Sequence, residues 1–187
     1  MDSYVDLIIR PDPDITTPTL LGNLYGRVHL ALVNQGCGEV GVSFPNHENG
    51  IGLGNVLRCH STQSRLSSIL DSLQLGGLKA HLDIQGPMPV PPQVSQHRVV
   101  KRVQVKSNPE RLRRRLVKRQ GISPEEALKR IPDTAKQSLK LPYVNLISAS
   151  TGQHFPLFVE HAECQSIPQP GEFNAYGFSS NATIPWF

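Results

Sequence analysis

Seven histidines lie along this chain, at positions 29, 47, 60, 81, 97, 154 and 161. Imidazole is the side chain that exchanges a proton near neutral pH, so general acid–base work is the first chemistry to weigh. Metal chemistry has weaker support. There is no HExxH pair and no CxxC with histidine at zinc spacing. The acids form no close set of the kind that holds two catalytic metals. Cys37, Cys59 and Cys164 are odd in number and far apart. That argues against a disulfide framework and reads as small buried side chains in a reducing compartment. No Walker motif and no GxSxG elbow occurs, and GIGLG at 50–54 lacks the context of a dinucleotide loop. The expectation is chemistry with no metal and no cofactor.

Charge supplies a partner for the histidines. The net charge is +4 and the pI about 9.1, with Lys and Arg concentrated between Arg98 and Arg119 and Asp gathered before residue 15. A local basic block points to an anionic partner, most commonly nucleic acid. RNA carries its own nucleophile, the 2′-OH, and a histidine can take the proton from it without a metal. His29 falls about 100° off the apolar face of its predicted helix, which puts it toward a surface. Ser148 ends a predicted strand, where side chains project into loops. Neither position is remarkable by itself.

The elements that must carry these residues read off periodicity. Tyr4–Arg10 is a strand bounded by PDP. Thr17 and Pro18 open a helix with Leu21, Leu24, Val28 and Leu32 on one face, stopping at Gly36. Gly22 and Gly26 weaken it, so this face must pack closely on something. Glu39–Phe44 and Val56–His60 are strands, Ser61 caps a helix to about Leu73 before Gly76 and Gly77, and Leu78–Gln85 alternates as a fourth strand. The order β-α-β-β-α-β predicts a ferredoxin-like domain over residues 1–94. The aromatic signature of RNA-recognition modules with that topology is absent. Four prolines in Gly86–Gln93 make a semi-rigid connector.

Residues 95–187 form a second, α/β domain on this reading. Val99–Val105 alternates with basic residues, a helix runs from about 108 to 120, and Ser123–Glu126 is a capping box opening a short one. A third short helix is predicted over Thr134–Leu139, strands over Tyr143–Ser148 and Phe155–His161, and extended chain over Phe173–Phe178 and the final IPWF. On the long helix, Arg111, Arg114, Arg115, Lys118 and Arg119 fall within about 140° of arc, flanked by Leu112 and Leu116. An ordinary solvated face would mix in acids at i,i+4, and Arg111–Gln120 holds none. A guanidinium stripe suits a phosphate backbone.

RPDP at 10–13, GVSFP at 41–45, RVQVKSNPERLRRRL at 102–116, KRIPDT at 129–134, STGQHF at 150–155 and PWF at 185–187 occur together and in order. By these stretches the chain resembles the type I-F (Csy-type) CRISPR repeat endoribonucleases along essentially its whole length. The resemblance implies a ferredoxin-like N-terminal domain and an arginine-rich helix that enters the major groove of an RNA hairpin. It implies cleavage at the 3′ base of the stem, leaving 5′-OH and 2′,3′-cyclic phosphate ends, with the mature crRNA retained in a surveillance complex with other subunits. By position, His29 then matches the general base, Ser148 the residue holding the attacking 2′-OH, and Tyr176 an orienting tyrosine. Arg102 and Gln104 match base readers at the bottom of the stem, Phe155 the aromatic stacked on the closing pair, and Arg114, Arg115 and Arg119 phosphate contacts. Lys118 and Gln120 depart from the Arg and His expected there; lysine keeps the charge but loses the bidentate fork.

Two other functions compete: a non-catalytic subunit that caps a hairpin, and a basic DNA-binding regulator, for which no helix-turn-helix pair is visible. The acidic N-terminus does not read as a signal peptide, and no apolar run approaches spanning length. The expected location is the cytoplasm, away from membranes.

Overall fold

The computed structural model describes residues 1–36, 38–104, 109–132, 140–148 and 151–187. Their chain order is β1 (Ser3–Ile9), α1 (Thr17–Asn34), β2 (Gly41–Ser43), β3 (Val56–Ser61), α2 (Gln63–Ser72), a 3₁₀ helix (Gly76–His81), β4 (Leu82–Pro89), β5 (His97–Arg98), β6 (Val100–Val103), α3 (Pro109–Gln120), α4 (Pro124–Arg130), β7 (Tyr143–Ile147), β8 (His154–His161) and β9 (Ile184–Pro185). The protein is mixed α+β with antiparallel sheets. Met1–Val103 and Leu141–Phe187 form one compact unit, and Gln104–Lys140 another.

In the larger unit a four-stranded sheet has the order β2-β3-β1-β4. Alternation sorts its faces. Val5, Leu7 and Ile9 pair across with Cys59, Leu57 and Leu82 positions and turn to α1 and α2, sharing one core with Leu24, Val28, Leu66 and Ile69. The opposite face carries Tyr4, Asp6 and Arg58. There Arg58 grips both oxygens of Asp6 at 2.6 and 2.7 Å, and its guanidinium lies 4.2 Å from the Phe187 ring centroid. The end of the chain thus covers the second face, and Gly41 leaves room for Ile184 and Phe173 against it.

The second sheet is β6-β8-β7. Its inward face carries Val100, Arg102, Val144, Leu146, Phe155, Leu157 and Val159, by pairings such as Arg102↔Val159 and Leu146↔Phe155. Helix α1 lies on β7 so closely that a Cβ on Gly22 would sit 2.5 Å from the Asn145 carbonyl oxygen. That approach is why a helix interior tolerates Gly22 despite its cost of about 1 kcal/mol against Ala.

Several expectations shift. Thr16, not Thr17, is the N-cap of α1, and Thr62, not Ser61, caps α2 by accepting from the Arg65 N–H. Residues 78–81 wind as 3₁₀ helix, because positive φ at Gly76 starts a turn there rather than a strand. The proline-rich connector is half strand: Pro89 pairs with Ser3 at the end of β4. Residues 173–178 are not extended. Asn174 accepts from the N–H groups of Tyr176 and Phe178, and Gly177 adopts φ 72, so they form a turn. His97–Arg98 pairs with Ile184–Pro185 in a sheet of its own. The predicted helix over 134–139, and Cys37, lie outside the described residues.

The smaller unit packs α3 and α4 together. Leu112, Arg113, Leu116 and Val117 are half-buried, while Arg111, Arg114, Arg115, Lys118 and Arg119 are exposed. Ser123 caps α4 by accepting from Glu126 N–H. Arg130 ties the two helices, donating to Gln120 at 2.9 Å and pairing with Glu126 at 2.7 Å.

Candidate active site

His29 is the α1 residue that leaves the core without leaving the protein. It is half-buried, one turn beyond Tyr25, and its ring stacks on Tyr176 at 4.2 Å between centroids with an interplanar angle of 1°. Its Nδ1 lies 2.7 Å from the carbonyl oxygen of Ala175. A carbonyl only accepts, so Nδ1 carries the hydrogen; in the neutral ring Nε2 then holds the lone pair. That is the form a general base needs.

Tyr176 connects His29 to the second sheet. The Arg102 guanidinium lies 5.1 Å from the Tyr176 ring centroid and 5.9 Å from that of Phe155. The Arg102 Nε is buried with no acceptor among the described residues. Three of the sequence candidates, His29, Tyr176 and Arg102, are therefore joined ring to ring to cation, with Phe155 at the end.

Ser148 directly follows β7, which ends at Ile147. It sits at the mouth of the β7–β8 hairpin, where its N–H donates to the Gln153 carbonyl at 2.9 Å and its Oγ accepts from Thr151 N–H at 3.3 Å. The strand leading to it is the one α1 rests on through Gly22.

The remaining candidates stand elsewhere. β6 ends at Val103, so Gln104 is exposed beyond the strand and is not held on the Arg102 face by strand pleating. Arg111, Arg114, Arg115, Lys118 and Arg119 line the exposed face of α3 within the smaller unit. Gln120, by contrast, is occupied by Arg130.

Three other histidines are held below the ordinary imidazole range. Burial pushes His60 down to about 3, and His161 likewise to about 3. His161 stacks on His47 at 3.6 Å and accepts from Phe44 N–H at 3.3 Å. Desolvation also lowers His47. Among the described residues no group of three or more His, Cys, Asp or Glu is placed to hold a metal ion, and no helix is long and apolar enough to cross a membrane.

Sequence reasoning missed Tyr25. Its ring is fully buried beside Phe44 and Phe178, and its hydroxyl donates to the Tyr176 carbonyl at 2.7 Å. The available signal was its i,i+4 spacing to His29, which places both on one helix face.

Fold and cluster together define a class: an antiparallel α+β protein in which a helix histidine, aromatic rings and a guanidinium meet, with a strongly basic helix in its smaller unit. The profile of a CRISPR-associated protein (Cas_Csy4) matches residues 4–187, and the chain belongs to that family. It is 47% identical over 188 residues to the CRISPR-associated endonuclease Cas6/Csy4 of Pseudomonas aeruginosa (strain UCBPP-PA14), with all of both chains covered. It is 39% identical over 187 residues to the CRISPR-associated endonuclease Cas6/Csy4 of Escherichia coli (strain UTI89 / UPEC), again with all of both chains covered.

Proposed function

We propose that this protein is a metal-independent endoribonuclease that binds the stem-loop of a CRISPR repeat transcript and cuts at the 3′ base of the stem. The observation that carries the reading is the His29 tautomer, Nδ1–H on the Ala175 carbonyl, in a full-length member of a family whose relatives are named endonucleases. His29 Nε2 takes the proton of the 2′-OH, which Ser148 holds. The 2′-oxygen attacks the adjacent phosphorus, and the 5′-oxygen leaves and gains a proton. The products are a 2′,3′-cyclic phosphate and a 5′-OH. The nucleophile belongs to the substrate, so the route calls for no metal hydroxide.

In this reading residues 1–94 are a ferredoxin-like domain, supported by the order β2-β3-β1-β4. They bring His29, while residues 95–187 supply the RNA surface. Arg102 and Gln104 read base edges where the groove opens at the stem's end, and Phe155 stacks on the closing pair. Arg111, Arg114, Arg115, Lys118 and Arg119 follow phosphates. The protein keeps its crRNA and meets the other subunits of a type I-F surveillance complex in the cytoplasm.

The test is incubation with a hairpin repeat RNA and its downstream flank in excess EDTA. Cleavage should proceed, and a single 2′-deoxy substitution at the nucleotide before the cut should stop it. Cleavage of the deoxy substrate, or activity that returns only with a divalent ion, would refute the mechanism.

A further inference from the structure

Three consecutive carbonyls of the turn that carries Tyr176 are each taken up by the large unit, two by α1 and one by β2. Ala175 O accepts from His29 Nδ1 at 2.7 Å. Tyr176 O accepts from the Tyr25 hydroxyl at 2.7 Å. Gly177 O accepts from the Val42 N–H at 2.8 Å, on the free edge of β2. Asn174 closes the turn from within, accepting from Tyr176 N–H at 2.8 Å and Phe178 N–H at 3.2 Å. Gly177 sits at φ 72 directly against Val42, so the turn has no slack toward the sheet.

Tyr25 and His29 are one helical turn apart and hold neighbouring carbonyls. Tyr25 cannot move, since its ring is enclosed by Phe44 and Phe178. His29, by contrast, is only half-buried. The enclosed member therefore fixes the turn, and the turn then presents the Ala175 oxygen and the Tyr176 ring to the less buried one. Burial holds the Tyr25 hydroxyl well above the ordinary phenol range, so it stays protonated and remains a donor.

We propose that Tyr25 is a positioning residue: by clamping the Tyr176 carbonyl it locks the 174–178 turn, and the turn keeps His29 in the Nδ1–H tautomer with Nε2 free. Asn174 acts on the same turn from its exposed side. The consequence for cleavage rests on the function proposed above; the tautomer does not.

The experiment compares the full-length protein with Tyr25→Phe and Asn174→Ala by two readouts. Long-range proton–nitrogen NMR correlations at pH 9, above the usual imidazole range, report which ring nitrogen of His29 carries the hydrogen. Single-turnover cleavage and gel-shift affinity for a hairpin repeat RNA separate the chemical step from binding. Wild type should show Nδ1–H. Both variants should show mixed tautomers and cleave about tenfold more slowly or worse, with hairpin affinity changed less than about threefold. A wild-type His29 protonated on Nε2 overturns the proposal. So does an Asn174→Ala protein, altered at an exposed position and expected to fold even if Tyr25→Phe does not, that keeps the pure wild-type tautomer. Slower cleavage with that tautomer intact would mean a merely structural role. If wild type shows Nδ1–H and the variants lose it but no RNA is cut by any form, the clamp stands and the endoribonuclease reading falls.

Discussion

Among the described histidines, environment decides which could move a proton. His60 bonds the Ser43 hydroxyl at 3.0 Å deep in the fold, and His161 lies under His47 and Trp186; both are held to about 3 by burial. A base that ionises so low is a weak acceptor near neutrality. His29 has one nitrogen committed to a carbonyl and the other open, with Tyr176 fixing the ring plane. His29→Ala should therefore slow single-turnover cleavage of a hairpin repeat by about 10²–10⁴-fold or more. Hairpin affinity should hold within a few-fold, because the groups proposed to hold the RNA, Arg102, Phe155 and the α3 cations, remain. Cleavage within tenfold of wild type would remove His29 from the chemistry.

Helix α1 does two jobs, and Gly22 connects them. The helix carries His29 at one end and presses on β7 at Gly22, with β7 leading to Ser148. Alanine at position 22 would bring up to about 1 kcal/mol of helix propensity. It would also drive a methyl into the Asn145 carbonyl oxygen, a backbone atom that cannot swing aside. Overpacking of that kind costs about 1–3 kcal/mol, so the clash should prevail. The expected result for Gly22→Ala is a net loss of unfolding free energy in urea, together with slower cleavage at temperatures where the variant is folded. The second effect arises because the helix can only relieve the clash by moving His29 relative to the β7–β8 hairpin. A variant as stable and as active as wild type would show that the close approach sets neither.

Across the whole molecule the buried imidazoles make stability depend on pH. His60 and His161 are neutral in the fold with values near 3, against about 6.5 in an unfolded chain. Between these limits the unfolded state binds more protons, so stability rises with pH and is lost on acidification from about 6.5 toward 3. Each group contributes a slope of about 1.4 kcal/mol per pH unit inside that window. Going from pH 7 to pH 5 should therefore remove roughly 2–4 kcal/mol for the pair, a large share of a typical 5–15 kcal/mol. Urea unfolding at the two pH values measures it directly. An unfolding free energy that is flat over that interval would mean the two rings are not held neutral.

Short-range physics made much of this protein legible in its residues. Alternation located β1, β3 and β8, helical spacing located α1 and α3, and the five cations of α3 that calculation placed on one arc are the exposed ones. Such patterns need only neighbouring residues, because a strand repeats every two and a helix every 3.6. The 174–178 turn defeated the same reasoning: its form depends on Asn174, Gly177 and the edge of β2, not on hydrophobic period. The end of β6 at Val103, short of the Val99–Val105 alternation, was likewise not marked by periodicity. Only the tertiary structure decided the site, since the bonds from Tyr25 and His29 to the turn span 151 and 146 residues of chain. No local periodicity encodes contacts at that distance; they exist because burying the faces of two sheets and α1 together brings the ends of the chain to one place.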